Sequence, residues 1–169
     1  MTIKLTQKEI MLLQDQKKHE EMCIQKYSDY AMKAEDSQLK QLFKNHASQE
    51  QQHLNTINDI LSGKMPNTQQ NQQGQQQGQQ QGQSGSQSGG MQNNSQGQPQ
   101  SSGYNQQDAF LCNDLLMTEK YVSGAYDTAI FEFTDTNIRQ TLNHIQKEEQ
   151  QHGEDIYMYM NSKGMYQPQ

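Results

Sequence analysis

Six side chains stand out by type and spacing: Glu50 with His53, Glu149 with His152, and a glutamate thirty residues ahead of each pair, Glu20 and Glu119. Residues three apart on a helix share a face. Glu50 and His53 can therefore grip one metal ion together, and Glu149 and His152 another. With Glu20 and Glu119 the set comes to four carboxylates and two imidazoles. Carboxylates neutralise and bridge paired cations, and imidazole suits iron or manganese without imposing a tetrahedral site. The expectation is a centre of two Fe or Mn ions ligated by these six residues. Taken alone, one Glu-x-x-His is commonplace. Here the six sit where the helical pattern calls for core residues, and an unpartnered buried carboxylate costs several kcal/mol. They must face one another.

The elements that position them read as four helices. Thr6-Gln7-Lys8-Glu9 is a capping box that opens the first, whose apolar stripe runs through Leu13, Cys23, Tyr27 and Ala31. Asp36-Ser37 breaks it and caps the second, which carries Leu39, Phe43, His46, Glu50, His53 and Ile57 at three-four spacing and ends at Gly63. The third carries Cys112, Leu115, Glu119, Val122, Tyr126 and Phe133. Asp135-Thr136 turns the chain into the fourth, with Ile138, Leu142, Glu149, His152 and Ile156, which stops at Gly164. The halves align without gaps at an offset of 99: Glu20 with Glu119, Tyr27 with Tyr126, and Glu50-Gln51-Gln52-His53 with Glu149-Gln150-Gln151-His152. Such a repeat implies two copies of one αα-hairpin, residues 5–65 and 106–166, packed about a pseudo-two-fold axis into one bundle.

Between them, residues 66–103 hold no Asp, Glu, Lys, Arg or His, and Met91 is their only large apolar side chain. A Gln/Gly/Ser segment of this kind cannot bury enough surface to offset its ordering entropy, so it is expected to be a disordered linker. Its typical span of about 31–37 Å matches the roughly 30–38 Å length of a 20–25-residue helix. It can return along the bundle and let the second and third helices run parallel. The same slack permits hairpin exchange between two chains, a route to a homodimer.

Composition narrows the function classes. A net charge of −6 and a pI near 5.3 argue against an electrostatic nucleic-acid binder. No run approaches the roughly 18 apolar residues of a membrane span. The start, Met1-Thr2-Ile3-Lys4, has no apolar signal core, which points to cytoplasmic synthesis without a signal peptide. Cys23 and Cys112 form no metal or disulfide motif and read as small buried hydrophobes. Tyr27 and Tyr126 could each hydrogen-bond a ligand carboxylate as second-sphere groups. His46 reads as a hydrogen-bonded core histidine. Glu21 and Glu148, a quarter-turn off the ligand stripe, read as solvated.

Two stretches, Leu39 to Leu61 with EQQHLNTINDIL and Asp114 to Tyr166 with EFTDTNIRQTLNHIQKEEQQHGEDIYMYM, resemble the coat F family of spore coat proteins within the ferritin-like superfamily. The resemblance covers both hairpins. It implies an all-α, ferritin-like four-helix bundle, residence in the spore coat and other coat proteins as partners. In ferritins, rubrerythrins and manganese catalases of the wider superfamily, the metal ligands correspond to Glu20, Glu50, His53, Glu119, Glu149 and His152 here. The chain departs from rubrerythrins in having no rubredoxin-like cysteine pair, and from storage cages in lacking a fifth helix. Two functions follow as expectations. One is a coat component whose dimetal site acts on peroxide or oxygen, an oxidoreductase of peroxidase, catalase or oxidase type. The other is a purely structural coat protein.

Overall fold

A computed structural model describes residues 3–65 and 103–166. The linker expected at residues 66–103 lies, apart from Gly103, outside the described residues. Four helices make up the fold: α1 (Gln7–Lys33), α2 (Ser37–Leu61), α3 (Gln106–Glu132) and α4 (Thr136–Ser162). Among the described residues there is no strand.

Local chemistry sets the ends. Thr6 and Glu9 close the capping box of α1, Asp36 caps α2, Asn105 caps α3 and Asp135 caps α4. Each cap satisfies backbone N–H groups that a helix start leaves unpaired. After α2 and α4 the chain turns at Gly63 (φ 82°) and Gly164 (φ 69°), in the left-handed region that a Cβ disfavours.

The helices form a square in which α1 packs on α2 and α3, and α4 packs on α3 and α2. Lys8 of α1 pairs with Glu132 of α3 and Lys26 with Asp114, so α1 and α3 run antiparallel. His46–Asp155 and His53–Glu148 show the same for α2 and α4. The diagonal helices α2 and α3 are therefore parallel, as the offset of 99 requires. Leu13, Leu39, Phe43 and Ile57 from the first hairpin interleave with Leu115, Ile138, Leu142 and Ile156 from the second in one core.

Two buried acids clasp the hairpins together. The Glu9 carboxylate accepts from Thr134 N (3.0 Å) and Thr134 Oγ1 (3.1 Å), just ahead of α4. Its counterpart Asp108 accepts from Glu35 N (2.8 Å) and Asp36 N (3.0 Å), just ahead of α2. Removing either carboxylate strips part-buried N–H donors of their partner. Glu9→Ala and Asp108→Ala should each lower the stability of the fold by about 2–3 kcal/mol, read by urea unfolding. A cost below about 0.5 kcal/mol would show that water replaces the clasp.

Candidate metal centre

Halfway along the bundle, all six predicted ligand residues meet. Glu20 on α1, Glu119 on α3, Glu50 and His53 on α2, and Glu149 and His152 on α4 are each at most 3% exposed. Their donor atoms form two overlapping groups, Glu20–Glu50–His53–Glu149 and Glu50–Glu119–Glu149–His152, with the atoms of each group within 4.8 Å of one another. Glu50 and Glu149 belong to both groups. Glu20 and Glu119 each belong to one.

The imidazoles face inward through Nδ1. His53 Nδ1 lies 3.2 Å from Glu50, 3.0 Å from Glu149 and 3.6 Å from Glu20. His152 Nδ1 lies 3.1 Å from Glu50, 3.5 Å from Glu119 and 3.6 Å from Glu149. One nitrogen carries at most one proton, and a single proton cannot serve three carboxylates. Accordingly Glu20 Oε2, Glu119 Oε2 and both Glu149 oxygens are buried without a hydrogen-bond donor. Glu149 Oε1, though 3.0 Å from His53 Nδ1, accepts no hydrogen bond from it. Oxygens left bare in a dry core, converging with two imidazole nitrogens, are the donor set that hard-to-borderline divalent ions take. The residues present fit a metal pair.

The outer nitrogens are tied down. His53 Nε2 lies 2.9 Å from Glu148 Oε2, and His152 Nε2 lies 3.0 Å from Gln49 Oε1. Because Gln49 Oε1 can only accept, His152 must donate from Nε2, which turns the Nδ1 lone pair of its neutral form inward. Such a bond fixes the tautomer and raises basicity. Glu148 is thus not a solvated side chain: it is half-buried and holds a histidine of the other hairpin. Glu21 is exposed, as expected. The missed signal was the offset itself, since Gln49 and Glu148 are counterparts, each immediately preceding a glutamate of the cluster.

Tyr27 donates to Glu119 and Tyr126 to Glu20. The tyrosine–carboxylate bonds are present, and each crosses from one hairpin to the other because α1 and α3 are antiparallel neighbours. Tyr27→Phe and Tyr126→Phe should be equivalent. Each removes a hydroxyl that donates to a buried carboxyl group, costs about 1–3 kcal/mol of stability and weakens metal binding about 10–100-fold. Unequal effects in denaturation and metal titration would mean the two halves are not functionally matched.

Charge is arranged by position. Burial raises the pKa of Glu20 and of Glu119 well above the carboxylate range. Glu50 and Glu149 are equally buried, and the Glu50 charge adds to burial at Glu149, but the facing imidazoles of His152 and His53 outweigh these effects and hold both below that range. Burial works against a charge on His53, yet Glu148, Glu149, Glu20 and Glu50 push its pKa well up. For His152, burial is likewise outweighed by Glu119, Glu149 and Glu50, and the pKa rises to about 12. Two neutral acids, two carboxylates and two imidazolium ions balance without metal. Four carboxylates and two neutral imidazoles balance two divalent cations.

The match is broken at His46, whose counterpart is Ile145. Its Nε2 meets Asp155 at 3.2 Å, and its ring stacks on His152 at 4.3 Å between centroids. Burial lowers its pKa, which keeps it neutral at pH 7. Cys23 and Cys112 are buried free thiols.

The comparison with known families bears on the hairpin that supplies Glu119, Glu149 and His152. Residues 107–169 match the Coat F domain. That match spans the second hairpin. The first hairpin falls outside that match, yet it repeats the Glu and His spacing of the matched hairpin at the offset of 99 and pairs with it around one site. The chain is also similar to the uncharacterized protein YusN of Bacillus subtilis, with 37% identity over 68 residues, or 40% of this chain. It spans 60% of the length of that relative. No solved structure matches the chain. None of the described helices is long and apolar enough to cross a membrane.

Proposed function

We propose that this chain is a component of the spore coat, set among other coat proteins, whose bundle holds two iron or manganese ions and consumes hydrogen peroxide. The Coat F match supports the location. The buried donor-free oxygens of Glu20, Glu119 and Glu149 support the metal pair. A bundle with only a structural task would gain stability from leucine at these positions.

In this reading Glu20, Glu50, His53 and Glu149 would hold one ion, and Glu50, Glu119, Glu149 and His152 would hold the other. Bound there, the pair would supply the two electrons that reduce one peroxide to two waters, and would take two back from a second peroxide that leaves as dioxygen. The protein's own groups handle the rest. Tyr27 and Tyr126 hold Glu119 and Glu20 in place, Glu148 and Gln49 aim the imidazoles, and the apolar core keeps bulk water out.

The test is peroxide consumption, followed with an oxygen electrode, by protein loaded with iron or manganese. Turnover well above that of the free ions, lost in Glu50→Ala, is expected. A loaded protein no faster than free metal leaves the alternative, a structural coat protein, which the Coat F match supports equally well.

A further inference from the structure

The pseudo-two-fold axis leaves the bundle on two opposite faces, and these differ. On the α2/α4 face the centre is closed by polar pairs, His53 with Glu148 and His152 with Gln49. On the α1/α3 face a groove of about 300 Å³ opens between Met22, Met117 and Tyr121. Its floor is Cys23 and Val122, which are counterparts at the offset of 99 and stand three residues past Glu20 and Glu119. Both are buried, and all four site carboxylates act on the Cys23 thiol, which burial and their charge keep protonated. Two small, uncharged side chains are thus what separates the groove from the centre.

We propose that the α1/α3 groove is the route by which hydrogen peroxide enters, with Cys23 and Val122 as its gate. The inference rests on the reading above. The groove walls are mainly apolar, and Lys26, at its edge, is already neutralised by Asp114 at 2.8 Å. A hydrated cation or an anionic substrate gains nothing there, whereas a small neutral molecule crosses without losing charge solvation.

Three variants test it. Thr118→Trp fills the groove from its half-exposed wall, Cys23→Ala enlarges the gate, and Asn45→Trp fills the separate α2/α4 cleft as a control. Two readouts avoid turnover: association of nitric oxide with the ferrous-loaded protein, and binding of xenon, a small neutral atom, to the groove of metal-free protein, followed by xenon NMR. Thr118→Trp should slow nitric oxide association about tenfold, which is about 1.4 kcal/mol on the passage barrier, and should abolish xenon binding. Cys23→Ala should speed nitric oxide association, and Asn45→Trp should match the wild type. All variants should keep the wild-type metal content. Unchanged rates in Thr118→Trp, or slowing in Asn45→Trp instead, would overturn the route. If the wild type holds no metal, the function fails, and xenon binding still decides whether the groove admits small neutral molecules.

Discussion

Glu50→Ala is expected to abolish binding of both metal ions, whereas Glu20→Ala should cost only one. Glu50 touches both imidazoles, His53 at 3.2 Å and His152 at 3.1 Å, and belongs to both donor groups. Its loss would leave each donor group one shared carboxylate short. Glu20 belongs only to the group that holds His53, so Glu50, Glu119, Glu149 and His152 can still hold one ion. Each ligand lost should weaken its own ion's binding by at least 10–100-fold, the range known for mere supporting residues. Equilibrium dialysis against manganese, with zinc as a non-redox control, reads the difference. Equal losses in the two variants would mean that Glu50 does not bridge.

The second large effect is on pH. Without metal the centre carries up to four protons, on Glu20, Glu119, His53 and His152, because burial or surrounding carboxylates raise the pKa of each. Two divalent ions displace them. Affinity for the pair should therefore rise with pH, by up to about four orders of magnitude per unit where all four are lost, and loading should release protons measurable in weak buffer. The metal-free fold should show the opposite trend. For His152 the folded pKa, about 12, exceeds the ordinary 6.5, so its stabilising contribution is full below 6.5 and is lost as pH climbs toward 12. Raised Glu20 and Glu119 act in the same sense, since the folded state keeps protons that the unfolded chain releases above its ordinary carboxylate pKa. Thermal unfolding of metal-free protein should thus fall in midpoint from mildly acidic to alkaline pH, while that of loaded protein rises. Parallel trends would place the protons elsewhere.

Much of this was legible in the residues because it is local. Thr6, Asp36 and Asp135 announce helix starts through their own side chains, and Gly63 and Gly164 mark the two ends where positive φ is needed. The six residues of the centre were legible because duplication doubles each signal, and because carboxylates on an apolar stripe need partners. What depended on how helices pack was not legible. The Tyr27–Glu119 and Tyr126–Glu20 bonds cross between hairpins because α1 and α3 are antiparallel neighbours, and a helical wheel does not show which helix is adjacent. Glu148 was misread for the same reason. A quarter-turn from the core points to solvent on a lone helix, but on α4 it points along the seam to His53 of α2. The Glu9 and Asp108 clasps went unread too, since each carboxylate reaches a turn more than seventy residues away in sequence.

The central claim is that the two hairpins fold around a pair of ions. Its most direct measurement is the metal-to-protein ratio, by inductively coupled plasma mass spectrometry, after anaerobic loading with manganese or ferrous iron and removal of free metal. The account predicts two ions per chain and a higher unfolding temperature than for metal-free protein. A ratio near zero, with the unfolding temperature unmoved by either metal, would contradict it.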